Sequence, residues 1–85
     1  MARDRNAATW ALELASRGIT VNAVAPGVIA THMSETVFDE DTIARLVPMK
    51  RAGLPVEVAS LVGYLASDEA GYITAQVISI NGGII

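Results

Sequence analysis

The sequence predicts an α/β fold, on three observations. A helix-spaced apolar pattern near the N-terminus runs straight into a β-branched stretch, and a second such stretch lies near the C-terminus. Both stretches are apolar and the first is nearly continuous, so they read as strands of a parallel sheet buried on two faces.

The elements follow in order. From about Asn6 to Ser16, Ala7, Trp10, Ala11 and Leu14 recur at helical spacing, with Glu13 and Arg17 four apart on another face. Gly18 supplies a left-handed cap, and Ile19 to Ala25 reads as the first strand, ended by Pro26-Gly27. Residues 30 to 40 carry no clear period, and Asp41 to Val47 has Ile43, Leu46 and Val47 spaced for one or two helical turns before Pro48. Pro55 opens the next helix, Glu57 suits its positive end, and Val58, Leu61, Val62 and Leu65 share a face. After a polar turn at Ser67 to Ala70, Gln76 to Ile80 forms the second strand, which Asn81-Gly82-Gly83 terminates.

Two apolar strands some fifty residues apart do not make a stable sheet by themselves, because each expects neighbours at its edges and cover on its faces. The chain of 85 residues is one domain at most, and a domain of that size buries only about two-thirds of its unfolded surface. With 52% hydrophobic residues it has ample apolar surface to bury, which argues against disorder and for packing against something larger.

Composition narrows the function classes. With no cysteine, neither a disulfide framework nor a thiolate metal site is available, which fits a reducing cytoplasm. A net charge of -3 with six scattered cations argues against nucleic acid as a partner. No run approaches the roughly 18 apolar residues of a membrane span, and MARDRNAATW has no signal-peptide core, so a cytoplasmic chain is expected. His32 is the sole histidine, and Ser34 and Glu35 are too close to it in sequence to argue a triad; no metal site is expected.

Three blocks then resemble the short-chain dehydrogenase/reductase family: SRGITVNAVAPG from Ser16, PMKRAGLPVEVASLVGYLAS from Pro48 and GYITAQVISINGG from Gly71. They stand in family order, and their wording is most similar to 3-oxoacyl-[acyl carrier protein] reductases, including relatives serving polyketide-like or aryl-polyene assembly. The resemblance implies the C-terminal part of a Rossmann-like doubly wound parallel sheet, here two strands, two main helices and a short helical flap. It makes residues 1–85 a partial reductase domain, the C-terminal third, with the nucleotide-binding first half absent. It implies NADP(H) or NAD(H) as cofactor, with Pro26, Gly27 and Ile29 lining the nicotinamide and Thr31 bonding its amide or phosphate region. Without the resemblance, Pro26-Gly27 is a strand-ending turn and Thr31 a cap.

Residues 31 to 48 correspond to the family's variable substrate flap, with Met33, Val37, Phe38 and Ile43 as its apolar contacts. Arg17 matches a basic residue that helps dock the acidic acyl carrier protein; its bland reading is an exposed cation paired with Glu13. Lys50 and Arg51 read as surface solvation, Asn22 as a residue that holds backbone in shape, and Tyr64 and Tyr72 as packing anchors. Ala75 stands where relatives often have glycine.

The catalytic groups are not in these residues. There is no glycine-rich phosphate turn, and Tyr64 and Tyr72 are followed four places on by Asp68 and Gln76 instead of the lysine of a Tyr-x-x-x-Lys pair. Counting back along the resemblance puts that pair just before Met1, so a truncation or late start is expected, with no turnover by the chain alone. The alternatives are a non-catalytic fragment that associates with a full-length homologue, and a reductase of another alcohol or ketone; the family implies a homo- or hetero-oligomer.

Overall fold

The computed structural model describes residues 5–31 and 38–85. Helix α1 (Arg5–Leu14) tightens into a 3-10 turn at Ala15–Arg17 and stops at Gly18, whose φ of 74° is the left-handed cap expected there. Strand β1 is Ala23–Pro26, helix α2 Glu40–Leu46, helix α3 Pro55–Leu65 and strand β2 Val77–Ile80; a second 3-10 turn, Asp68–Ala70, precedes β2. The two strands pair, and their partners rise together, from Ala23 N–H on Gln76 O (2.9 Å) to Gly27 N–H on Ile80 O (3.0 Å), so the sheet is parallel.

Local chemistry accounts for the helix starts. Asp39 caps α2 by accepting the Thr42 N–H at 2.7 Å, which holds the Asp39 carboxyl below its ordinary range. Pro55 takes the first position of α3, where a missing N–H costs no bond.

The strand boundaries differ from expectation. The ladder begins at Ala23, not Ile19, because Ala75 lies in the left-handed region (φ 61°) and bends the facing segment out of extension. Cross-links replace the ladder there. Ala75 N–H donates to Val21 O at 2.9 Å and Val21 N–H to Thr74 Oγ1 at 3.1 Å. Asn22 donates to Ile73 O and accepts from Gln76 N–H, both at 3.0 Å, the backbone-holding role expected of it. Nor are the strands buried on both faces: no residue of either falls in the buried class, and among the described residues each has only the other as a partner strand.

The described residues cluster into two compact units, Met1–Val24 with Leu61–Ile78, and Ala25–Ser60 with Ser79–Ile85; β1, β2 and α3 each contribute residues to both. In the first unit Ala11 and Ala70 are buried, in the second Val47. Trp10, expected on the packed face of α1, is 58% exposed: its position trails Ala11 by about 100°, at the edge of the stripe that Ala7, Ala11 and Leu14 form. The tyrosines are not packing anchors either. Tyr72 projects fully into solvent from the turn after Ala70, and Tyr64 is half exposed.

Candidate functional site

The second unit gathers the C-terminal ends of both strands, where parallel α/β sheets place their ligands. Three segments meet there. The chain leaving β1 is clipped to the loop before α3: Gly53 N–H donates to Val28 O at 2.9 Å, and Ala30 N–H donates to Gly53 O at 2.8 Å. These bonds form an isolated parallel bridge between Ile29 and Gly53, which turns the backbone groups of Ile29 itself away from Gly53. The chain leaving β2 is latched by Met49 N–H on Gly82 O at 3.0 Å.

Close approach explains Gly27. A Cβ there would lie 2.6 Å from Asn81 Cβ and 3.0 Å from Asn81 Cα, so the two strand ends touch only because Gly27 has no side chain. Asn81 is held in turn by its own loop, accepting the Gly83 N–H at 3.0 Å and donating to Ile84 O at 2.7 Å.

Between the segments lies a hollow of about 120 Å³, walled by Val28, Ile29, Met49, Gly53, Ile80 and Asn81, with Arg51 and Glu57 at its side. It is smaller than the roughly 300 Å³ of a typical small-molecule pocket. Arg51 is exposed, as expected of a surface cation, and it is also paired. Its guanidinium holds Glu57 with two bonds, 2.8 and 3.1 Å, and donates to Ala52 O at 3.1 Å. Glu57 also accepts the Leu54 N–H at 2.9 Å. The Arg51 bonds first, and then the Leu54 N–H, hold the Glu57 carboxyl down at about 2, and Glu57 in turn pushes Arg51 upward.

Of the expected cofactor residues, Pro26 ends β1, Gly27 meets Asn81, Ile29 lines the hollow and Thr31 lies exposed just beyond it. Of the flap residues, Phe38 is exposed and Ile43 half-buried on α2, whereas Met33 and Val37, like His32, lie outside the described residues. Arg17 belongs to the first unit, exposed, and among the described residues no ion pair joins it to Glu13. The Arg51–Glu57 pair and Gly53 went unforeseen; the only signal was an acid three residues after Leu54, at the spacing that lets a side chain reach back over a helix start. Among the described residues no three His, Cys, Asp or Glu side chains converge for a metal.

What this arrangement can do is bind and orient: it offers apolar wall, turned backbone and an ion pair, with no described group placed as acid or nucleophile. Comparison with known proteins gives the family. Residues 2–85 match the family model described as enoyl-(acyl carrier protein) reductase. The chain belongs to this family, the short-chain dehydrogenases/reductases. It is 51% identical to the 3-oxoacyl-[acyl-carrier-protein] reductase FabG of Thermotoga maritima over 79 residues, 91% of this chain and 32% of the relative.

Two solved structures superpose closely. YwfH, an NADPH-dependent reductase involved in bacilysin biosynthesis, matches with a TM-score of 0.90 and 39% identity over 99% of this chain and 37% of its own. The 3-oxoacyl-[acyl-carrier protein] reductase of Brucella melitensis matches at 0.89 and 38% over 98% and 32%. The fold is thus part of a Rossmann-like doubly wound sheet, and the chain spans about a third of the length of these proteins.

Proposed function

We propose that these 85 residues form the nicotinamide-end wall and substrate flap of an NAD(P)H-dependent reductase. The parent reaction is conversion of 3-oxoacyl-[acyl carrier protein] to 3-hydroxyacyl-[acyl carrier protein]. The observation that carries the proposal is the Ile29–Gly53 clip, which holds the chain just past β1 at the ligand-binding end of the strands and turns Ile29's backbone groups away from Gly53. The likeness to FabG of Thermotoga maritima supports the substrate class.

A bound reduced nicotinamide would supply the hydride for the 3-carbonyl carbon, while the oxygen takes a proton. These residues do the rest of the work of binding. Pro26, Gly27 and Ile29 would flank the ring, the Ile29 backbone would meet its carboxamide, and the Thr31 hydroxyl would bond the amide or phosphate region. Phe38 and Ile43, with Met33 and Val37, would set acyl-chain preference, and Arg17 would steer the acidic carrier. The proton donor is not among them, since no Tyr-x-x-x-Lys pair occurs, so the 85 residues by themselves carry no turnover.

The test uses the protein isolated from its own cell through a tag on this chain, with its intact mass and accompanying polypeptides recorded. NADPH-dependent reduction of a carrier-bound 3-oxoacyl thioester by that preparation, and none by the 85 residues alone, is expected. Turnover by the 85 residues alone, or reduction of free ketones only, would overturn it. A second reading, association with a full-length homologue without catalysis, is favoured by the exposed Trp10, Leu12 and Tyr72; it predicts co-purification at fixed stoichiometry with activity unchanged when this chain is removed.

A further inference from the structure

We infer that Arg51 and Glu57 are positioning residues for the cofactor-facing loop, acting on Ile29 and Thr31 through Gly53. The inference rests on the functional reading above and adds a pair of residues to it.

The chain of contacts is short. Arg51 grips Glu57 at 2.8 and 3.1 Å and Ala52 O at 3.1 Å, and Glu57 takes the Leu54 N–H at 2.9 Å. Ala52 and Leu54 flank Gly53, so the residues on either side of it are fixed by the pair. Gly53 in turn supplies both bonds of the clip, donating to Val28 O and accepting from Ala30 N–H. A Cβ on Gly53 would sit 3.0 Å from Ile29 Cδ1, so the clip also sets where the Ile29 side chain stands.

The geometry singles out arginine. Two parallel bonds to one carboxylate plus a third to a carbonyl need a planar guanidinium fork; a lysine ammonium keeps the charge and loses the fork. An exposed ion pair contributes little to global stability, so a network of four hydrogen bonds that ends on both neighbours of one glycine is better explained by loop placement than by folding.

Amide exchange on the protein isolated from its own cell tests this. In Arg51→Lys and Glu57→Gln, the Ala30 and Gly53 amides are expected to exchange about tenfold faster, while Ala23 and Gly27, bonded to Gln76 and Ile80, stay unchanged. Unaltered exchange at Ala30 and Gly53 overturns the inference. If Glu57→Gln speeds exchange everywhere, the milder Arg51→Lys decides: selective loss supports the clamp and uniform loss overturns it.

NADPH titration of the same samples separates this inference from the functional reading. Slowing of Ala30 exchange by NADPH in the wild type, with about fivefold more NADPH needed in Arg51→Lys, supports both. Selective loss with no NADPH effect in the wild type leaves the clamp intact and overturns the cofactor reading. An NADPH effect with equal affinity in wild type and variant keeps that reading and overturns the positioning role.

Discussion

Single positions carry backbone constraint, Ala75 and Gly27 among them. Ala75 holds φ at 61°, a region that costs a residue with a Cβ about 1 kcal/mol, in order to deliver its N–H to Val21 O. Ala75→Gly removes that strain but loosens the unfolded chain, and a net gain of about 0.5 kcal/mol is expected, read as a higher thermal midpoint of the protein isolated from its own cell together with the polypeptide that completes the sheet. Gly27→Ala has the opposite sign. Its new methyl group would fall against Asn81 Cβ and Cα, both on the neighbouring chain end and neither able to swing aside. A loss of about 1–3 kcal/mol is expected in denaturant titration, with m unchanged.

At the scale of elements, the start of α3 is tied to pH through Glu57. Its folded value of about 2 lies below the ordinary 4.5, so the folded protein binds the proton less readily than the unfolded chain does. The stability it contributes is therefore complete above about 4.5 and lost as pH falls toward about 2. The thermal midpoint of wild type minus that of Glu57→Gln should stay constant from neutral pH to about 5 and shrink below it. The pair is exposed, so the difference should be small and should shrink further in high salt. Asn22 ties the chain entering β1 to the segment before β2 with two bonds, one part-buried and one exposed. Asn22→Ala should cost about 1 kcal/mol, because Ile73 O loses its partner away from solvent while the exposed Gln76 N–H can turn to water.

The same elements show what a one-dimensional reading captures. Period and capping chemistry located α1, α2, α3 and both strands to within a few residues, because Gly18, Pro48, Pro55 and Asn81-Gly82-Gly83 act on their own neighbours. The early half of the first strand was misread because its fate is set by Ala75, more than fifty residues away, which no local pattern reports. The Arg51–Glu57 pair was missed for a related reason: the six-residue spacing fits no helix period, and the pairing depends on the bend at Lys50 and Arg51 and the bridge at Gly53 that follows it. The wording of SRGITVNAVAPG identified the family, whereas periodicity identified only α/β.

For the molecule as a whole, the balance of covered and open apolar surface decides behaviour. Among the described residues only Ala11, Val47 and Ala70 are buried hydrophobics, and Val47 is the largest of them. Meanwhile Leu12 is 77% exposed, Tyr72 wholly so, and among the described residues each strand of the two-stranded sheet has one edge without a partner strand. Covering a single Leu-sized side chain is worth about 1.5–3 kcal/mol, comparable with the margin by which a domain this small is stable at all. Unpaired strand edges add a template for pairing with other chains. Purified alone, the 85 residues should therefore sediment as associated species, bind a hydrophobic dye and melt without cooperativity. Covering that surface with the polypeptide that completes the sheet should abolish dye binding, produce a cooperative transition and shift Trp10 emission to the blue if its half-exposed indole is part of the covered face. Sedimentation as a monomer with a sharp melt would mean that these strands need no neighbours, and the reductase-segment proposal would lose its physical basis.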